Sequence, residues 1–409
     1  MQRIKKLYYK HNSIVLISLG ALSLFISNIL LKDILDETEY GEYSLLITYL
    51  QLIASFGLLG MEHVFTRVSK VAEDKIITSK KLFIILLIIW QLCALLFSFL
   101  FKKYFFETYM PYYYVLLFTL VISLSAFSYN VFRIKSNFNL SQFILNFWKI
   151  IFGGIALSTL FIKTIDLKEL ISFLFYPFCF ILIIQLYLLI KEFHFKFELN
   201  ISYSKIILFS IHFFITILTL SVINYGDRFF IKTNIGTEQL GEYFYLATIY
   251  IFPFSLFQTY IGFKQLVYFK DNSILNLRSK LLNINILGVV FGFFIFISTI
   301  LINSLEILPK INIVDNSWLI VVFLLTGMAK LNYSLFSALL GAKTNIKTIK
   351  RTNIQSLLVI CIVFVLFYNY LDNVLLISFT VLIFWISRTL IYIVNLHKLL
   401  NFNGYKHTK

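Results

Sequence analysis

The sequence predicts an all-α integral membrane protein of about twelve transmembrane helices. Three observations predict it: a composition poor in charge, a series of long apolar stretches, and a one-sided distribution of Lys and Arg between the loops. Of the 409 residues, 59% are hydrophobic and 14% charged, with a mean hydropathy of +0.84. A soluble domain carries roughly 25% charge. Such a composition belongs to chains that cross a membrane many times.

A helix needs about 20 apolar residues to cross roughly 30 Å of hydrocarbon. Stretches of that length lie at about 13–31, 44–62, 82–101, 112–132, 143–162, 170–190, 206–226, 243–263, 281–302, 318–340, 354–371 and 374–397. Only helices and closed barrels satisfy the backbone in lipid, and the ten-residue alternation of barrel strands is absent. The first stretch follows Arg3, Lys5, Lys6 and Lys10, as a signal peptide would. No small-residue cleavage site follows it, so it reads as an uncleaved first span.

With the N-terminus placed in the cytoplasm, 25 of the 36 Lys and Arg fall in cytoplasmic segments and 14 of the 20 acids fall outside. The orientation rule for basic loops therefore puts both termini in the cytoplasm. The net charge of +16 is spread over every inner loop. That spread is the mark of orientation and of contact with membrane lipids, and no nucleic-acid partner is expected.

The connecting segments follow in order. Loop 32–42 is an acidic exterior turn carrying Asp33, Asp36, Glu37, Glu39 and Glu42. Gly57 and Gly60 in the second span are small residues that permit close helix packing. The Val64–Val71 part of the next loop reads as a short interfacial helix. Tyr104, Tyr109, Tyr112, Tyr113 and Tyr114 form an aromatic belt at headgroup level. Segments 133–149 and 341–355 occupy matching places. Segment 191–205, with its alternating pattern, is the one candidate linker and predicts a short strand or interfacial stretch. It separates a first bundle, 1–190, from a second, 206–409. Cys93, Cys179 and Cys361 lie in apolar segments without a CxxC pair and read as small buried hydrophobes.

A repeat supports the two halves. The stretch YGDRFFIKTNIGTEQLGEY begins at Tyr225, and two hundred positions before its Gly241-Glu242-Tyr243 stands Gly41-Glu42-Tyr43. A fixed-period echo marks units of similar build.

Ionisable groups at bilayer depth are costly and usually face an internal cavity. Lys330 stands at the centre of the tenth span beside Asn332 and is expected in such a cavity. Arg388, three residues after Trp385 and past the middle of the last span, fits cavity lining and snorkelling equally. Lys149 is nearer the cytoplasmic end and snorkels. His212, Thr216, Thr219 and Asp227 share one face of the seventh span. There the threonines can bond their own helix, and His212 is either a packed histidine or a proton carrier. Asp227 and Arg228 stand where that helix is expected to leave the bilayer. Arg228 points towards the face of Asn224, and the pair either anchors the helix end or offers a cation to an anionic cargo.

Catalysis finds no footing. GxSxG, HExxH, P-loop and exposed DxD patterns are absent, as is any Cys/His cluster. No loop is long enough to carry a catalytic domain. The chain is expected to be no enzyme, with no cofactor and no metal.

Three stretches carry a family resemblance: EYGEYSLLITYLQLIASFGLLG followed by Arg67, NYGDRFFIKTNIGTEQLGEYFYLATIY, and SALLGAKTNIK. With them the chain resembles the polysaccharide-export flippases, the O-antigen or capsule repeat-unit translocases of the multidrug/oligosaccharidyl-lipid/polysaccharide exporter superfamily. The resemblance implies two six-helix bundles in a V-shaped structure, with a central cavity between parallel repeats and alternating access. It implies a polyprenyl-pyrophosphate-linked oligosaccharide as cargo, with a polysaccharide polymerase and glycosyltransferases as pathway partners. Lys330, Arg388 and Arg228 would then meet the pyrophosphate, while Asn28, Gln51, Asn146, Asn224, Gln258 and Asn332 would meet sugar hydroxyls. An ion-coupled multidrug exporter of the same superfamily is the alternative, and it would want intramembrane carboxylates. A purely structural assembly partner would leave Lys330 unexplained.

Overall fold

The structure, a computed structural model, describes residues 2–72, 75–106, 110–161, 165–195, 203–271, 277–305, 309, 311–344 and 346–402. Its contacts divide the chain into two units, Met1–Ser221 and Val222–Lys409. Among the described residues, eleven helices are long and apolar enough to cross a membrane, and a bent helix pair that passes the same test together brings the number up to twelve if it is one span.

The first unit contains α1 (Gln2–Ile34), α2 (Glu37–Phe56), α3 (Met61–Val68), α4 (Lys80–Tyr104), α5 (Tyr112–Ile134), α6 (Phe138–Ser158) and α7 (Leu167–Glu192). The Asp36 carboxylate accepts the Glu39 N–H at 2.7 Å and starts α2, satisfying one of the donors that a helix start leaves unpaired. Most of α2 and α5 is buried, so these two form the centre of the unit. α1 packs on α6 through small residues. A Cβ on Gly153 would come within 2.6 Å of the Ser23 Cβ, so the pair sets how closely the two helices approach.

The second span differs from expectation. It breaks after Phe56, turns through Leu59 (φ 50°) and Gly60 (φ 77°), and resumes as α3. Gly60 thus supplies a left-handed turn as well as the close helix contact expected of it. A side chain there would also meet Phe213, the Phe214 amide and the Ser210 carbonyl.

A small sheet closes one end of the unit. β1 (Lys70–Ala72) pairs antiparallel with β2 (Lys75–Ile77), and β2 pairs in parallel with β3 (Phe193–His194). β3 is the short strand expected within 191–205; positions 196–202 lie outside the described residues. Lys135 and Glu192 form an ion pair beside the sheet.

The long helix α8 (Tyr203–Asn234) opens on contacts with the first unit, where the Ser210 hydroxyl donates to the Leu59 carbonyl at 2.6 Å. The contact boundary at Ser221 falls within it. The second unit continues with α9 (Thr237–Tyr250), α10 (Phe252–Asp271), α11 (Leu277–Ser304), α12 (Ser317–Lys343), α13 (Ile346–Phe367), a 3₁₀ turn at Tyr368–Tyr370, and α14 (Val374–Phe402). α9 and α10 stand where the eighth span was expected and are bent by 48° from each other. Pro253 accounts for the bend, because it has no N–H to give and crowds the preceding turn. α12 is the central helix, packed against α10 and α14.

The thiols depart from their expected burial. Cys93 is buried, Cys179 half-buried and Cys361 exposed. A membrane protein keeps apolar residues on its outer surface, so a small apolar side chain need not lie inside.

Candidate functional site

α8 does not end at the Asp227-Arg228 pair, as the sequence suggested, but runs to Asn234. Asp227 therefore lies about two turns, or ~10 Å, inside the helix. The helix continues because the carboxylate is provided for. The Tyr243 hydroxyl of α9 donates to Asp227 Oδ2, and the Arg228 backbone N–H donates to Oδ1 at 2.9 Å. The Arg228 guanidinium lies over the rings of Phe244, 4.8 Å from its centre, and Tyr225, 5.5 Å away. Asn224 is half-buried one turn before it.

Lys330 is the middle residue of α12 and is 8% exposed. Its ammonium stands 3.5 Å from the Ser255 hydroxyl of α10 and 5.2 Å from the Trp385 ring centre on α14. The charges of Asp227, Arg228 and Lys330 are within Coulombic range of one another. A buried cation left alone would cost several kcal/mol in lost hydration, and the ring face and the nearby carboxylate offset part of that.

Arg388 does not snorkel. It is 1% exposed, with its guanidinium 5.1 Å from the Tyr333 ring centre and 5.6 Å from that of Tyr392. Its Nη2 donates to the Tyr392 hydroxyl at 3.4 Å, and that hydroxyl donates to Asn353 at 3.3 Å. Nε and Nη1 have no hydrogen-bond partner among the described residues, and neither has Trp385 Nε1. Orphaned donors this deep are rare and call for an explanation. Tyr333 packs edge-on against Trp385 at 5.1 Å. Lys330, Trp385, Tyr333 and Arg388 thus form one buried chain in which two packed rings lie between two cations.

The sequence pointed to the cations and missed the rings. Trp385, Arg388 and Tyr392 follow one another at three and then four residues, one face of a helix. Lys330 and Tyr333 stand one turn apart. That spacing was the available signal for Trp385, Tyr333 and Tyr392. Tyr243 was visible only as part of the repeat.

Two candidates lie apart. The Asn332 amide donates to the Asn285 side chain on α11 at 2.8 Å, because residues two apart on a helix point about 160° away from each other. His212 is half-buried in the part of α8 that belongs to the first unit, about four turns before Asp227. The threonines between them bond their own helix: Thr216 donates to the His212 carbonyl at 3.0 Å and Thr219 to that of Ile215 at 2.7 Å. The shared polar face is therefore satisfied locally. Glu62, expected at the end of the second span, is buried in α3, with His63 Nε2 3.6 Å from its Oε1.

The model of the polysaccharide biosynthesis protein family matches residues 10–263. The chain belongs to that family. The matched region includes Asp227, Arg228 and Tyr243 and stops before Lys330 and Arg388. Among curated proteins, none matches the chain. Solved structures add the fold. One described as "Inward-facing conformation of a multidrug resistance MATE family transporter of the MOP superfamily" has TM-score 0.55 and 9% identity over 96% of each chain. Another, described as "protein A", has TM-score 0.54 and 13% identity over 96% of this chain and 95% of its own. The family member described here is thus a multi-pass membrane protein with the helical fold of a transporter.

Proposed function

We propose that the chain translocates a polyprenyl-pyrophosphate-linked oligosaccharide repeat unit from the cytoplasmic to the outer leaflet of the bacterial plasma membrane. It does so by alternating access, with both termini cytoplasmic, as a step in surface polysaccharide synthesis such as that of an O-antigen or capsule. The observation that carries the reading is the set of the buried Lys330 and Arg388 with the half-buried Arg228, three cations of the second unit that stand with the buried carboxylate of Asp227. The lipid tail of such a cargo can stay in the bilayer, whereas its anionic pyrophosphate and its sugars cannot cross hydrocarbon unaided. Guanidinium and ammonium groups already held at depth lower that barrier, and a guanidinium grips a phosphate in two places. Sugar hydroxyls find Asn224 and, near α11, Asn332 with Asn285.

One observation favours the ion-coupled exporter instead, the buried Glu62 in the first unit. The two readings separate in cells. Loss of the gene should remove one surface polysaccharide and leave its lipid-linked repeat unit on the cytoplasmic leaflet. Intact surface glycan together with new drug sensitivity would favour the exporter and contradict the flippase.

A further inference from the structure

The two units solve the same packing problem with different chemistry. In the first, the Tyr43 hydroxyl of α2 donates to the side-chain oxygen of Asn28 on α1 at 2.9 Å. In the second, the echoing Tyr243 of α9 donates to Asp227 on α8. Both tyrosines are buried, and both join the second span of a unit to the helix before it. The first unit shows that a neutral amide meets the needs of the fold at this joint. The carboxylate stands only in the unit where Arg228 and Lys330 are within range of it. A buried carboxylate is expensive, so its presence points to those cations rather than to the tyrosine.

We propose that Asp227 is an internal counter-anion, stabilising Arg228 and Lys330 in the empty transporter and giving way when the anionic group of the cargo takes its place. This rests on the reading of those cations as the receivers of a pyrophosphate. Two consequences follow from charge alone. Asp227 weakens binding of an anion, because it repels the anion and already compensates the cations. It also limits how long the cargo stays, because its return to the cations favours release. An Asn at this position keeps an oxygen for the Tyr243 hydroxyl, as Asn28 does for Tyr43, so the substitution tests charge and leaves the joint intact.

The test is calorimetric titration of inorganic pyrophosphate into the purified full chain in nanodiscs, with a thermal melt of each variant. Asp227→Asn is expected to tighten binding about tenfold and to slow transport in cells, and Lys330→Met is expected to weaken binding. The double variant Asp227→Asn/Lys330→Met should recover much less than tenfold over Lys330→Met alone, since neighbouring charges are not additive. Tightening that persists in full without Lys330 would contradict the pairing. Unchanged or weaker binding by a folded Asp227→Asn, with Lys330→Met still weakened, would overturn the counter-anion role and leave the cation reading standing. Unchanged binding by Lys330→Met would overturn the cation reading and the counter-anion role together.

Discussion

Lys330→Met should insert and fold as the native chain does, yet lose transport almost completely. The ammonium is held at mid-helix by one long hydrogen bond to Ser255 and by the face of Trp385. Methionine fills nearly the same volume and brings no desolvation cost, so stability should be unchanged or slightly higher. Transport should fall by well over tenfold, because an anion entering that part of the second unit would lose a desolvated partner charge. Lys330→Arg should keep a part of the activity, since the charge stays while its shape changes. The check is surface glycan per molecule of membrane-inserted protein. Full activity of the Met variant would remove Lys330 from the cargo path.

Arg388→Lys should be nearly as damaging. Its charge is conserved, but lysine replaces a planar fork with a single point. In the native chain Nη2 is occupied by Tyr392, while Nε and Nη1 are buried without a hydrogen-bond partner among the described residues. Each of those two nitrogens shares an edge of the guanidinium with Nη2, and such an edge meets two oxygens of a phosphate at once when the anion takes the place of the Tyr392 hydroxyl. Loss of one such grip corresponds to about tenfold in affinity, roughly 1.4 kcal/mol. Arg388→Lys should therefore raise the pyrophosphate dissociation constant by about that factor in the nanodisc titration. A lysine variant that binds and transports like the native chain would show that Arg388 serves only to fix Tyr333 and Tyr392.

Much of this was legible in the sequence, for physical reasons. Span number follows from apolar length, and Lys330 and Arg388 stand out because charge at that depth is rare. What stayed hidden is of another kind. The break at Gly57–Gly60 depends on Leu59 and Gly60 adopting positive φ, which the run SFGLLG does not announce. The continuation of α8 past Asp227 depends on Tyr243 and on cations far along the chain, so local hydropathy marked an exit where the helix goes on. The Asp227–Lys330 proximity joins residues a hundred positions apart. Asn332 shows the converse: beside Lys330 in sequence, it faces another helix.

The central claim, that the chain moves a lipid-linked pyrophosphoryl oligosaccharide between leaflets, is tested most directly in proteoliposomes. A polyprenyl-pyrophosphate-linked oligosaccharide is placed in the vesicles together with the purified chain, and a sugar-cleaving enzyme outside reads how much reaches the outer leaflet. The account predicts that the native chain exposes substrate from the inner leaflet with time, while vesicles carrying Lys330→Met behave like protein-free ones. Cleavage that stops at the outer-leaflet fraction with the native chain, under either ion gradient across the vesicle, would contradict it.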